Sequence, residues 1–269
     1  MKIEDGRGEF ADLARVMPGL AKWPGLVTFL EKQLGIRAVR RWFLLAAGAE
    51  NPFAKVAQLA RIDLEAEGAE KIPETGATVL VANHPFGGPD ALAVAAVALE
   101  RRSDVLILAN DELARLDGVG CYFLAVDLLG KDEGGRKRTN AKAFRELIKH
   151  VRGGGCVVIF PAGRVAGWFG DRVQDPPWSS HVTSLLQRLR VPVVPVGVRG
   201  PLPRWILILG ALGATVRRAL IPRGMVSMRG RTVEVQVGEV LPPEKLVGEV
   251  TAVTRALRRA VDATLGEDF

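Results

Sequence analysis

Short runs of Val, Ile and Leu recur along the chain, each bounded by Gly, Pro or a charge, with longer stretches of helically spaced apolar positions between them. The runs predict strands near 62–67, 77–83, 104–110, 121–126, 155–161, 191–198 and 231–238. The helical spacing predicts helices near 25–47, 52–60, 89–101, 137–152, 179–190, 204–220 and 249–265. Runs such as "ATVLVAN" (77–83) and "GCVVIFP" (155–161) are apolar at successive positions, which suits strands buried on both faces. The alternation therefore predicts an α/β fold, with a mixed, largely parallel sheet covered by helices on both faces. Residues 1–60 hold no strand run and read as an N-terminal helical segment packed on an α/β domain of residues 61–269. The stretch "RVAGWFGDRVQDPPW" (164–178) is too rich in Gly, Pro and aromatics for a regular element. A loop of that length is more often functional than idle.

Composition narrows the class. With 269 residues, 48% of them apolar, the chain can bury a large core. Cys121 and Cys156 are too few for a disulfide framework and too isolated for a zinc site, which points to a reducing compartment. The opening "MKIEDGRGEF" lacks the apolar core of a secretory signal. No stretch reaches the roughly 18 uninterrupted apolar residues of a spanning helix, so the expectation is a cytoplasmic chain. The 37 Lys and Arg against 30 Asp and Glu favour a polyanionic partner: nucleic acid, an anionic lipid surface or a phosphorylated substrate. Basic clusters at "RAVRRW" (37–42), "GGRKRTN" (134–140) and "TVRRALIPRG" (215–224) stand partly beside large apolar residues. Such a mixture suits a water–lipid boundary, where stems and rings bury while charges stay wet. Each cluster taken singly is equally compatible with a solvated helix face.

The chemistry concentrates in "VANHPFGGPDALAV" (81–94). A strand ends at Asn83, His84 follows, Phe86, Gly87 and Gly88 form a turn, and Pro89 suits the first turn of a helix. Asp90 then falls at the helix start, where the dipole favours a carboxylate. If the turn folds back, Asp90 can hold His84 as a general base of fixed tautomer. The two glycines would let backbone N–H groups approach a ligand. The plainer alternative is a turn histidine and an ordinary N-terminal helix charge. Ligands of open α/β sheets sit outside the carboxyl ends of strands, so two later strand exits add weight. "FPAGR" supplies Phe160, Pro161, Ala162, Gly163 and Arg164, and "VPVVPVGVRG" ends on Arg199. Lys131 and Arg136, with Lys137 and Arg138, form either an acceptor clamp or a flexible charged loop. There is no Gly-x-Ser-x-Gly elbow, no phosphate loop and no dinucleotide fingerprint. His150 and His181 lack zinc-motif spacing.

Together these blocks resemble the glycerolipid acyltransferase superfamily of glycerol-3-phosphate and 1-acylglycerol-3-phosphate acyltransferases. Its hallmark is Asn-His-x4-Asp after a strand; here "NHPFGGPD" places five residues between His84 and Asp90. That spacing resembles a bacterial branch of lysophospholipid and lyso-ornithine lipid acyltransferases, also named hemolysins, with Asn-His-Pro-x-Gly-Gly-x-Asp. The family's Phe-Pro-Glu-Gly block aligns with "FPAG", putting Ala162 in the glutamate position, and its proline-rich strand aligns with "VPVVPVGV". The order fits from about residue 50 to 240.

The resemblance implies a peripheral membrane O-acyltransferase at the inner face of the cell membrane. It implies acyl transfer from acyl-CoA or acyl carrier protein to a hydroxyl of a lysolipid-like acceptor, with no metal or redox cofactor. His84 would be the base and Asp90 its orienter. Asn83, Phe86, Gly87, Gly88, residues 160–164, Lys131 and Arg136 would bind substrate. On physical grounds alone, the backbone N–H groups around Gly87 and Gly88 at the helix N-terminus are candidate oxyanion donors. The alternative is a noncatalytic lipid- or acyl-carrier-binding protein retaining the fold. A nucleic-acid-binding protein fits less well, because the interleaved aromatics of a single-strand platform are missing.

Overall fold

The computed structural model describes residues 18–111, 113–116, 118–126, 133–169, 172–201 and 214–266. Helices α1 (Pro24–Gln33), α2 (Ile36–Ala46) and α3 (Pro52–Ala60) precede strand β1 (Asp63–Glu67). There follow β2 (Thr78–Ala82), α4 (Gly88–Arg101), β3 (Val105–Asn110), β4 (Phe123–Val126), α5 (Glu133–Arg152) and β5 (Cys156–Ile159). The remainder comprises β6 (Gly167–Phe169), β7 (Arg172–Gln174), α6 (Ser180–Leu189), β8 (Val193–Arg199), α7 (Ala214–Ser227), β9 (Thr232–Val237) and α8 (Val250–Thr264).

Seven strands form one sheet in the order β1-β9-β8-β2-β5-β3-β4. Every pairing is parallel except β8 with β9, so the sheet is mixed and largely parallel, as the alternating pattern implies. Central β2 is buried at all of its positions because its alternate side chains face different cores. Leu80 and Ala82 join the core under α2, α3, α4 and α7. Val79 and Val81 join the one under α5, α6 and α8. Edge strand β1, "DLEAE", carries the acids that blunt an open sheet edge.

All seven sheet strands lie where the apolar runs place them. Three features differ. The helix expected over 25–47 breaks at Leu34 and Gly35, because Gly35 takes a left-handed φ of 76°. A side chain there would meet Val226 Cγ2 at 2.6 Å, so the break lets α7 approach. The stretch expected to be irregular, 164–178, instead contains the antiparallel pair β6–β7. Finally, the helix expected over 204–220 continues to Ser227 despite the internal Pro222, packed against α2 and α4; its expected start lies outside the described residues.

Candidate active site

Because β8, β2 and β5 are parallel neighbours, their carboxyl ends deliver Arg199, Asn83–His84 and Phe160 to one edge of the sheet. Asn83 secures the first exit: its Nδ2 donates to the Val198 carbonyl at 2.9 Å, and its Oδ1 accepts from the Val198 N–H at 2.7 Å. The amide is thus committed to β8. Arg199 is committed too, donating from Nε to Glu234 at 2.7 Å and from Nη1 to the Leu265 carbonyl at 2.7 Å.

The turn after His84 folds around Asp90. Asp90 Oδ2 accepts the N–H groups of Phe86 at 2.7 Å and Gly87 at 3.1 Å, and Oδ1 accepts that of Ala91 at 2.6 Å. One carboxylate therefore supplies the end of α4 with partners its first turn lacks. Gly87 makes the reversal possible with φ 88°. The result brings Asp90 Oδ1 to 3.1 Å from His84 Nδ1. That contact lies off the line of a full ring N–H hydrogen bond, and among the described residues Nδ1 has no other partner. Asp90 is fully buried, while the His84 side chain keeps 17% of its surface open.

A second carboxylate stands on the other side. The His84 N–H is shared between Asp175 Oδ1 at 3.0 Å and Oδ2 at 3.1 Å, and Trp178 Nε1 donates to the same Oδ2 at 3.1 Å. The His84 carbonyl accepts the Ala166 N–H at 2.8 Å, which ties the segment after β5 to the histidine. Phe160 covers the imidazole, ring centres 4.5 Å apart at 33°.

Burial, the largest single influence, opposes a charged imidazole, but Asp90 and Asp175 together outweigh it, so the His84 pKa is held above its ordinary value. Burial likewise pushes the Asp175 carboxyl up, offset in part by the N–H of His84 and the indole of Trp178.

The structure brings His84, Asp90 and Phe160 into contact and ties Pro161–Arg164 to them through Ala166. The other expected residues land differently. Phe86 is buried in the core beside Gly200, and Ala162 packs on the opposite core. Gly163, at φ 62°, turns back so that its N–H meets the Phe160 carbonyl at 3.0 Å, and Arg164 is exposed next to it. Gly87 is not an available oxyanion donor, since its N–H serves Asp90. Gly88 is small because a side chain would meet Met225 Cγ at 2.8 Å. Lys131 lies outside the described residues, and Arg136 sits in α5 with its side chain outside the description. Asp175 was not singled out by sequence reasoning; the one signal was its place in "QDPPW", within the long segment expected to be functional. Among the described residues no group of three or more His, Cys, Asp or Glu converges as metal ligands.

An α/β chain with a histidine beside a buried carboxylate at a strand exit points to one class, and residues 8–262 match the family described as Acyltransferase. The chain belongs to that family. A lyso-glycine lipid O-acyltransferase of Phocaeicola vulgatus is 26% identical over 191 residues, 66% of this chain and 64% of that protein. Its counterpart in Bacteroides thetaiotaomicron is 29% identical over 140 residues, 51% of this chain and 48% of that protein. The match thus spans less than two thirds of either relative's length. The crystal structure of the 1-acyl-sn-glycerophosphate (LPA) acyltransferase PlsC from Thermotoga maritima aligns with a TM-score of 0.52 at 19% identity, over 81% of this chain and 78% of that one. That likeness is one of fold.

Proposed function

We propose that this chain transfers an acyl group from an acyl thioester, on CoA or acyl carrier protein, to a hydroxyl of a lysolipid acceptor. The observation that carries the reading is the His84 Nδ1 to Asp90 Oδ1 distance of 3.1 Å at a strand exit, with Asp90 fully buried and fixed by backbone N–H groups. Family membership supports the reaction class. Two relatives named lyso-glycine lipid O-acyltransferase support a lysolipid acceptor.

In this mechanism His84 Nε2 takes the acceptor hydroxyl proton while Asp90 stabilises the imidazolium at Nδ1. The alkoxide oxygen attacks the thioester carbonyl, the tetrahedral intermediate collapses, the C–S bond breaks and an ester C–O bond remains. The proton on His84 passes to the departing thiolate. Charge on the carbonyl oxygen needs a preorganised donor; with Gly87 engaged, the Gly88 N–H at the start of α4 is the one left of the expected pair.

The helices that precede β1, α1 to α3, serve as the membrane-facing part of the molecule in this reading. Helix α1 buries none of its residues, and Trp23, Leu26 and Phe29 on or beside it, with Leu44 and Leu45 on α2, are exposed. Arg37, Arg40 and Arg41 on α2 supply positive charge beside them. Among the described residues no helix is long and apolar enough to cross a membrane, which is consistent with attachment at the inner face. The test is product analysis: purified protein, acyl-CoA or acyl carrier protein, and lyso forms of glycine lipid, ornithine lipid and phosphatidic acid, followed by mass spectrometry. A diacyl product from at least one acceptor is expected; thioester hydrolysis without ester product from any of them contradicts the reading.

A further inference from the structure

One buried acid takes no part in the chemistry proposed above. Asp175 follows β7, 91 residues from His84 in sequence, yet both of its oxygens accept the His84 N–H. The Trp178 indole donates to one of them, and Arg258 Nη2 from α8 donates to the Asp175 main-chain oxygen at 3.3 Å. The His84 carbonyl is bonded in turn to Ala166. Both main-chain polar groups of His84 are therefore held by one segment, 166–175, rather than by the neighbouring strands.

We infer that Asp175 is a positioning residue for His84, locking the main chain of the base to the segment after β5 and setting a second negative charge behind the imidazole. The inference rests on the reading of His84 as the general base. A purely structural link would not need a charge here: a neutral amide oxygen can accept the same N–H, whereas a buried carboxylate is costly to desolvate. Asp175 is buried and both of its oxygens act as acceptors, the pattern of the ionised form. The charged groups acting on His84 are Asp90 from α4 and Asp175, with Arg258 of α8 reaching the Asp175 main chain. Asp90 governs the ring and Asp175 the backbone, so the two acids fix different freedoms of one residue.

Asp175→Asn and Trp178→Phe in the full chain test this, with two readouts. The first is the NMR titration of the His84 imidazole, assigned among the three histidines by the signal missing from His84→Ala. It needs no substrate. The second is the pH dependence of kcat/KM for acyl transfer. Asp175→Asn is expected to lower the His84 pKa, move the acid limb to lower pH, and cut kcat about tenfold, the scale of a small misplacement of a catalytic group. The acyl-donor KM should stay within about twofold, since ground-state binding is untouched. Trp178→Phe, which loosens Asp175 without removing it, should shift both readouts the same way by less. An unmoved His84 titration and acid limb, with activity lost only in proportion to the fraction unfolded, would overturn the inference and leave Asp175 as a folding contact. An undiminished rate in His84→Ala would overturn the base reading itself, an outcome the titration separates from a failure of the Asp175 role.

Discussion

In the proposed mechanism His84 acts as a base only while neutral, and its surroundings favour the charged form. Asp90 and Asp175 overcome the effect of burial and hold its pKa above the ordinary value. The acid limb of kcat/KM is therefore expected above about pH 6.5, the ordinary imidazole value. Asp90→Asn removes the larger stabilising charge, so it should move that limb to lower pH while reducing kcat about a hundredfold, read from initial rates across pH. The proposed mechanism uses neither thiol as a nucleophile. Cys156 is buried in the sheet, and burial pushes its pKa up to about 12; Cys121 is exposed. Iodoacetamide near pH 8 should label Cys121 ahead of Cys156 and leave acyl transfer intact, as peptide mapping and assay would show. The pair His84 and Asp90 was legible because both lie in one short strand–turn–helix segment, where proline and glycine mark the reversal. Asp175 was not, because it acts on a backbone N–H, and any residue at position 84 other than proline presents the same group. Gly87 was misread for a related reason: a glycine that lets a ligand approach and one that lets a carboxylate fold back look alike in sequence.

At the scale of elements, strands were legible where apolar runs are closed by glycine, proline or charge, as at "ATVLVAN" before His84. What escaped depends on tertiary contact. Gly35 breaks the first long helix to make room for Val226, which is distant in sequence, and the β6–β7 pair forms in a segment without strand periodicity. The end of the sheet opposite the site is held by Arg102, whose side chain is 1% exposed. It pairs with Asp104 through Nε and Nη2, each at 2.7 Å, and donates to the carbonyls of Pro73, Gly76 and Gly154 at 3.0, 2.7 and 2.8 Å. The approaches to β2, β3 and β5 are thus gathered on one guanidinium. Arg102→Ala leaves three carbonyls and a half-buried carboxylate without it and should cost about 3 kcal/mol in urea unfolding. Arg102→Lys should recover only part of this, because an ammonium lacks the planar fork.

For the whole molecule, the parallel arrangement of β8, β2 and β5 sets the site at one sheet edge, while the helical preface presents Trp23, Leu26 and Phe29 to the surroundings. Leu26→Ser with Phe29→Ser should weaken sedimentation with anionic vesicles about tenfold or more while leaving the melting temperature unchanged, since α1 buries no residue of its own. Binding that stays at the level of the unaltered chain would place the membrane contact elsewhere. The central claim, base catalysis of acyl transfer by His84, is tested most directly by the initial rate of ester formation from acyl-CoA and a lysolipid that the protein accepts, compared between the unaltered chain and a folded His84→Ala variant. A fall of about 100- to 10,000-fold is expected, the contribution of a positioned general base; a rate within about twofold of the unaltered chain would contradict the account.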